Sequence, residues 1–215
     1  MLNNLANALA TRFEQKGQLT DLSEAAVPHQ ESLSLRSAHH PIRPQALSDL
    51  ANVILTRFHR TGQLEGLDQV VALRREAIGL VPAYHPIRRG LLTGLASVLP
   101  IRFQQTSQLV DLDQAVALNQ EAVELFPVSY PRRSDAVNNL TTALRTRFSK
   151  TGRLADLDAE VTLNWEALDL RPTSHPKRSR TLNNLTNALH VRFGETHQLV
   201  DLNKAIVLHK EALKL

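Results

Sequence analysis

HPIRPQALSDLANVILTRFHRTGQLEGLDQVVALRREAIGLVP, residues His40 to Pro82, carries the two patterns that decide the fold. In its first half Leu47, Leu50, Ala51, Ile54 and Phe58 fall at i, i+3, i+4, i+7 and i+11, one apolar stripe of an α-helix. The pattern breaks at Thr61-Gly62-Gln63. It resumes with Leu67, Val70, Val71, Leu73, Ala77 and Ile78, a second and broader helical face, and stops at Val81-Pro82 because proline lacks the amide hydrogen a helix needs. The stretch predicts two antiparallel helices, A of about 18 residues and B of about 15.

The same text returns every 45 residues on both sides of this stretch. Arg-Phe stands at Arg12-Phe13, Arg57-Phe58, Arg102-Phe103, Arg147-Phe148 and Arg192-Phe193; His-Pro or Tyr-Pro at His40, His85, Tyr130 and His175; glutamate at Glu31, Glu76, Glu121, Glu166 and Glu211. A fixed period of this length marks a repeat architecture, and the absence of any strand pattern excludes a propeller. The 215 residues therefore read as five helical hairpins, approximately 1–37, 38–82, 83–127, 128–172 and 173–215, in a single repeat domain. A lone hairpin cannot bury both apolar faces, so the hairpins are expected to stack into an all-α, right-handed superhelix with a concave and a convex surface. The five phenylalanines are expected to be the largest pegs between hairpins, each costing roughly 3–5 kcal/mol if buried and cut to alanine.

Composition agrees with this reading. A content of 42% hydrophobic but only 4% aromatic residues, with 8 glycines, describes a Leu/Ala-rich helical chain. No cysteine is present, which removes disulfides, thiolate metal sites and thiol nucleophiles. No apolar run approaches a membrane span and the first residues lack the charged-then-apolar pattern of a secretion signal, so a cytoplasmic or nuclear, non-secreted protein is expected. The net charge of +4 permits an anionic partner without requiring one.

At these residues the chain resembles the tetratricopeptide repeat (TPR). Helix A keeps the family spacing with leucine in place of larger residues, as in Leu2, Leu5, Ala6, Leu9 and Leu182, Leu185, Thr186, Leu189. Helix B supplies small residues at Ala25, Ala115 and Ala205 and at Ala77, Ala122, Ala167 and Ala212, with closing prolines at Pro82, Pro127 and Pro172. The period is 45 rather than the family's 34 residues. The long form, seen at His175-Pro176 and Leu182-Asn183-Asn184-Leu185, is similar to the repeats of kinesin light chains. With the Thr151 to Asp158 block it also resembles fungal arrays attached to caspase-like CHAT or nucleotide-switch domains. The resemblance implies a non-catalytic scaffold that binds an extended peptide in its concave groove. A sensor or spacer array of a larger fungal signalling protein is the alternative, since both ends of the chain lie within the repeat pattern.

The resemblance also implies groove residues. Asn4, Asn7, Asp49, Asn52, Asn139, Thr142, Asn184 and Asn187 form a polar column on helix A opposite its apolar stripe, where family asparagines hold a peptide backbone through an amide that both donates and accepts. A hydrated face or an asparagine ladder between helices remains open. Gly94 and Ser97 leave a gap in the third repeat. A basic column follows each corner at Arg43, Arg88, Arg89, Arg132, Arg133, Lys177, Arg178 and Arg180. These cations oppose the dipole of the helix they begin, so they serve either an acidic partner or pairing with loop aspartates such as Asp111, Asp113, Asp156, Asp158 and Asp201. Nucleic acid is disfavoured because stacking aromatics are missing.

Arg57, Glu76 and their copies read as a structural ladder, in which the arginine of helix A bonds the glutamate of helix B or reaches the next hairpin. The corner histidines lie a helix spacing apart and cannot share a metal ion, so neither metal nor cofactor is expected. No phosphate loop or nucleophile elbow supports an enzyme. Trp165, which replaces Gln30, Arg75, Gln120 and Lys210, is either an exposed anchor for a partner or a cover over a neighbouring repeat. Pro28 and Pro100 are expected to kink or shorten their helices. Exposed apolar faces on the terminal hairpins are expected to favour self-association.

Overall fold

The described residues fold as the alternating A and B helices that the pattern predicts. The computed structural model describes residues 5, 8–9, 11–12, 15–35, 37, 40–127, 130 and 133–214, so Asn4, Asn7, Phe13 and Arg132 lie outside the described residues. The A helices are α2 (Arg43–Thr61), α4 (Arg88–Thr106), α6 (Arg133–Thr151) and α8 (Arg178–Thr196). The B helices are α1 (Leu19–Ser34), α3 (Glu65–Gly79), α5 (Leu109–Glu124), α7 (Leu154–Asp169) and α9 (Leu199–Ala212). Leu5, Ala8, Leu9, Thr11, Arg12, Gln15 and Lys16 are helical as well, and no described residue is in a strand.

The chain forms two compact units, Met1–Gln108 and Leu109–Leu215. In the first, α2 packs on α1 and α3, and α4 packs on α3; in the second, α6 packs between α5 and α7, and α8 between α7 and α9. The stripe positions of α8 show why: Leu182, Leu185, Ala188 and Leu189 are fully buried among Val161 and Leu168 of α7 and Ala205 and Leu208 of α9. In α6, Val137, Leu140, Ala143 and Leu144 meet Val116 and Val123 of α5 and Ala167 of α7. The first unit repeats the arrangement around Leu47, Ala77, Val81 and Leu91. Leucine is thus the principal filling. Among the described phenylalanines of the Arg-Phe pairs Phe58 is buried, while Phe103, Phe148 and Phe193 are half-buried. These aromatics sit in the last turns of the A helices, and the expectation that they are the chief pegs is corrected accordingly.

The Thr-Gly block ends helix A by two devices. The residue after the last turn takes the left-handed conformation, at φ 69° for Gly62 and 66° for Gly152, and donates its N–H to the carbonyl of Phe58 or Phe148 at 2.8 Å. The preceding threonine hydroxyl, in Thr61, Thr106, Thr151 and Thr196, accepts the N–H of the residue two further on. Ser107 and His197 adopt the same left-handed conformation at φ 56° with a Cβ that disfavours it. Ser107→Gly is therefore expected to raise stability by about 0.5–1 kcal/mol, read as a higher urea midpoint at unchanged slope. A lower midpoint would mean that the serine side chain contributes more than its backbone strain costs.

The corner histidines belong to the turn before helix A. The Nδ1 atoms of His40, His85 and His175 accept the N–H of Ile42, Ile87 and Lys177 at 3.1–3.3 Å. Tyr130 has no such nitrogen and stacks instead on Phe126, with ring centroids 5.5 Å apart. Neither internal proline shortens its helix: α1 runs through Pro28, and α4 runs through Pro100 with the same 19 residues as α2.

Candidate functional site

Two sets of arginines, conspicuous in the sequence, are tied into the fold. Those opening the A helices reach back to the preceding B helix. Arg43 donates to the Leu33 carbonyl at 2.9 Å, Arg88 to Val81 at 2.8 Å, Arg133 to Val123 at 2.8 Å and Phe126 at 3.0 Å, and Arg178 to Leu168 and Arg171. A cation that opposes its own helix dipole here sits favourably at the C-terminus of the helix before it, on carbonyls without intrahelical partners. The same guanidinium groups pair with the glutamate column, Arg43 with Glu76, Arg133 with Glu166 and Arg178 with Glu211. Their expected partners, the loop aspartates, are engaged elsewhere.

Asp113, Asp156, Asp158 and Asp201 bind the Arg-Phe arginines Arg147 and Arg192. Arg147 donates from Nε and Nη2 to Asp156 at 2.9 and 2.6 Å and from Nη1 to Asp113 at 2.9 Å. Arg192 does the same with Asp201 and Asp158. In the first unit Arg12 bonds Asp21, and Arg102 bonds Asp68. The hydrogen bonds to Asp156 and Asp201 push the Arg147 and Arg192 guanidinium groups further up. In the second repeat the corresponding positions are Gly66 and Ser23, so the Arg57 column place lacks both carboxylates.

The polar column divides by unit. In the first, Asp49 accepts from Gln45 and Asn52 accepts from Arg74 Nη2 at 2.8 Å. Arg74 is buried, which pushes its guanidinium down, and its Nη1 fills the space a Cβ on Gly94 would need. The gap at Gly94 is thus closed by an arginine from α3, and Asn52 is bound to that arginine. Ser97 donates to the Gly94 carbonyl.

The second unit keeps the column open. Asn139, Thr142 and Asn187 are exposed, and Asn184 is half-buried. Asn184 Nδ2 donates to Asn138 Oδ1 at 2.9 Å, linking α8 to α6, so the ladder and the open face coexist in neighbouring residues. Thr141, Thr142, Asn184 and Asn187 line a cleft of about 200 Å³ together with Arg145 and Glu160. Arg145 donates from Nε and Nη2 to the two Glu160 oxygens at 2.8 and 2.7 Å, a parallel fork. The carboxylate side chain is 5% exposed and the guanidinium 32%. Burial pushes the Glu160 carboxyl up, and Arg145 opposes the shift.

Arg145 and Glu160 were not among the residues singled out from the sequence. Their signal is a paired departure from the repeat: Arg145 stands where Ala10, Leu55, Pro100 and His190 stand, and Glu160 where Ala25, Val70, Ala115 and Ala205 stand. Trp165, also a departure, lies half-buried against the cluster of Val161, Leu168, Leu182 and Leu185. It covers a neighbouring repeat rather than standing free.

The sequence matches no protein-family model and no curated protein. Solved structures do match along almost the whole chain. A Podosopora anserina protein described as a kinesin light chain with nearly identical TPR-like repeats superposes with a TM-score of 0.66 at 18% identity, covering 98% of this chain and 97% of that one. The fold is that of a TPR-like repeat protein. BtubC (BKLC) from P. vanneervenii follows with a TM-score of 0.62 at 18% identity over 98% and 82% of the two chains. MamA aligns with a TM-score of 0.55 at 14% identity over 95% and 96%. In this TPR-like chain, no helix among the described residues is long and apolar enough to cross a membrane, and no three His, Asp or Glu side chains converge as metal ligands.

Proposed function

We propose that the protein is a non-catalytic interaction scaffold that holds an extended segment of a partner protein along the polar faces of α6 and α8. The observation that carries this reading is the cleft lined by Thr142, Asn184 and Asn187, with Asn139 exposed one turn before Thr142. Asn139 and Asn187 present amides that can donate to and accept from a peptide backbone without selecting its side chains. Neighbouring A helices lie about 8–10 Å apart, and an extended chain rises about 3.3 Å per residue, so a bound segment meets a new A helix about every three residues. The basic column supports a protein partner over a nucleic acid, because Arg88, Arg133 and Arg178 are held on helix carbonyls.

The test is a displayed library of random twelve-residue peptides selected against the full chain. Asn139→Ala with Asn187→Ala is expected to weaken the selected peptides about tenfold, a loss of about 1.4 kcal/mol, with the melting temperature unchanged. Affinities unchanged by both substitutions would sink the proposal.

A further inference from the structure

The second unit contains a buried ion pair that its architecture does not require. Four other repeats build the same place from Ala, Leu, Pro or His on helix A and Ala or Val on helix B. A buried pair is commonly no more stabilising than apolar residues of similar size. Its position on the wall of a cleft beside Asn184 and Asn187 therefore points to recognition.

A second observation adds a donor. Asn164 is 2% exposed and follows Glu160 by one turn of α7; its Nδ2 is buried with no acceptor among the described residues. Its counterpart in α5, Asn119, folds its amide back onto the Ala115 carbonyl at 3.0 Å, and Asn164 does not. Asn164 also holds the register place of Arg74, the residue that in α3 donates to Asn52 and occupies the space beside Gly94. Two periods on, those neighbours correspond to Thr142 and Asn184, both of which line the cleft, while Asn164 itself is buried and does not line it. An unpaired buried donor is costly unless a ligand satisfies it.

Resting on the groove reading above, we propose that Arg145 and Glu160 form the side-chain-selecting part of the cleft, that the buried Asn164 amide turns to join them when a segment binds, and that the cleft takes a neutral carboxamide, Asn or Gln, from that segment. Donors and acceptors are both on offer. Arg145 uses Nε and Nη2 on Glu160, leaving Nη1 for a carbonyl oxygen; Asn164 Nδ2 is a second donor; and Asn184 spends its Nδ2 on Asn138, leaving its Oδ1 for an amide hydrogen. Charge works against the alternatives. A carboxylate would gain from Arg145 but face buried Glu160, and an ammonium group would meet the reverse. Either would lose its hydration to a pair that is already neutral. An apolar side chain would leave the buried donor and the pair without partners.

Peptides from the same library separate this proposal from the one it rests on. On the full chain one peptide position is expected to be enriched in Gln or Asn. Synthetic peptides with Gln there should bind at least about tenfold more tightly than those with Glu, Lys or Leu. Arg145→Leu combined with Glu160→Ala, which installs residues used in other repeats, should reduce that preference to within about twofold, and Asn164→Leu should weaken the Gln peptide alone. Helical signal and melting temperature check that each variant is folded. Equal or tighter binding of Glu or Lys peptides, or a Gln preference that survives the double substitution, overturns the pocket proposal while leaving the groove. Selected peptides indifferent to Asn139→Ala, Asn184→Ala and Asn187→Ala overturn the groove itself, and a library yielding no binder counts against both.

Discussion

Asp156→Ala is expected to destabilise the second unit by about 3 kcal/mol, among the largest losses available outside the leucine core. Asp156 is almost fully buried and receives two charge-assisted bonds from Arg147, whose side chain is 16% exposed. Removing the carboxylate leaves that guanidinium partly dehydrated with only the exposed Asp113 as partner. Trp165 is the only tryptophan and lies in this unit, so its fluorescence reports the relevant transition in urea. The molecule supplies its own control. Arg57 occupies the same column with Gly66 and Ser23 at the two aspartate places, so Arg57→Met should shift stability by less than about 0.5 kcal/mol. A loss from Arg57→Met as large as that from Asp156→Ala would mean that the guanidinium group of this column stabilises the fold without the two carboxylates.

The Arg145–Glu160 pair should show the opposite arithmetic. Arg145→Leu is expected to cost about 3–5 kcal/mol, because it strands a carboxylate that is 5% exposed. Glu160→Ala should cost less, since Arg145 is a third exposed and recovers hydration when released. The double variant is expected within about 1 kcal/mol of the parent or above it, as both residues then match other repeats. A double variant as unstable as the sum of the singles would make the pair essential to the fold.

The pH dependence carries the same information. Burial holds the folded Glu160 carboxyl above its unfolded value, with Arg145 opposing the rise, so between the two values the folded chain binds the extra proton. The stability this proton confers is fully present below the unfolded value and is lost as pH rises through the folded one. Comparison with Glu160→Gln across that interval should show the parent losing stability with rising pH while the variant stays flat. A parent that gains stability there would mean that Arg145 outweighs burial.

The hairpins were legible because the apolar stripe and its 45-residue return depend only on local geometry and burial, as Leu182, Leu185 and Leu189 show. The identity of the polar bonds was not. Arg43 looks misplaced beside its own helix dipole and makes sense only once the end of the preceding helix, ten residues earlier, is brought against it. Column counting likewise linked Arg57 with Glu76, whereas three-dimensional register assigns Glu76 to Arg43. The cleft was half legible: Thr142, Asn184 and Asn187 followed from the face of helix A, but Arg145 and Glu160 lie on different helices and appear only when departures in two columns are matched. Asn52 is exposed, and the bond its Oδ1 accepts from Arg74 comes from another element, which the face of helix A alone does not show.

Arg133 and Arg178 finish the helix before them, seven and ten residues upstream, and also hold the end of their own hairpin's B helix 33 residues downstream. A single inserted or deleted residue in the corner would therefore disturb two neighbours at once. Unequal recombination between equivalent codons of two copies would not, because each junction would receive an arginine, a corner and a helix end in the same relative places. Copy number is the variable this bonding scheme leaves free to drift, whereas copy length is fixed from both directions.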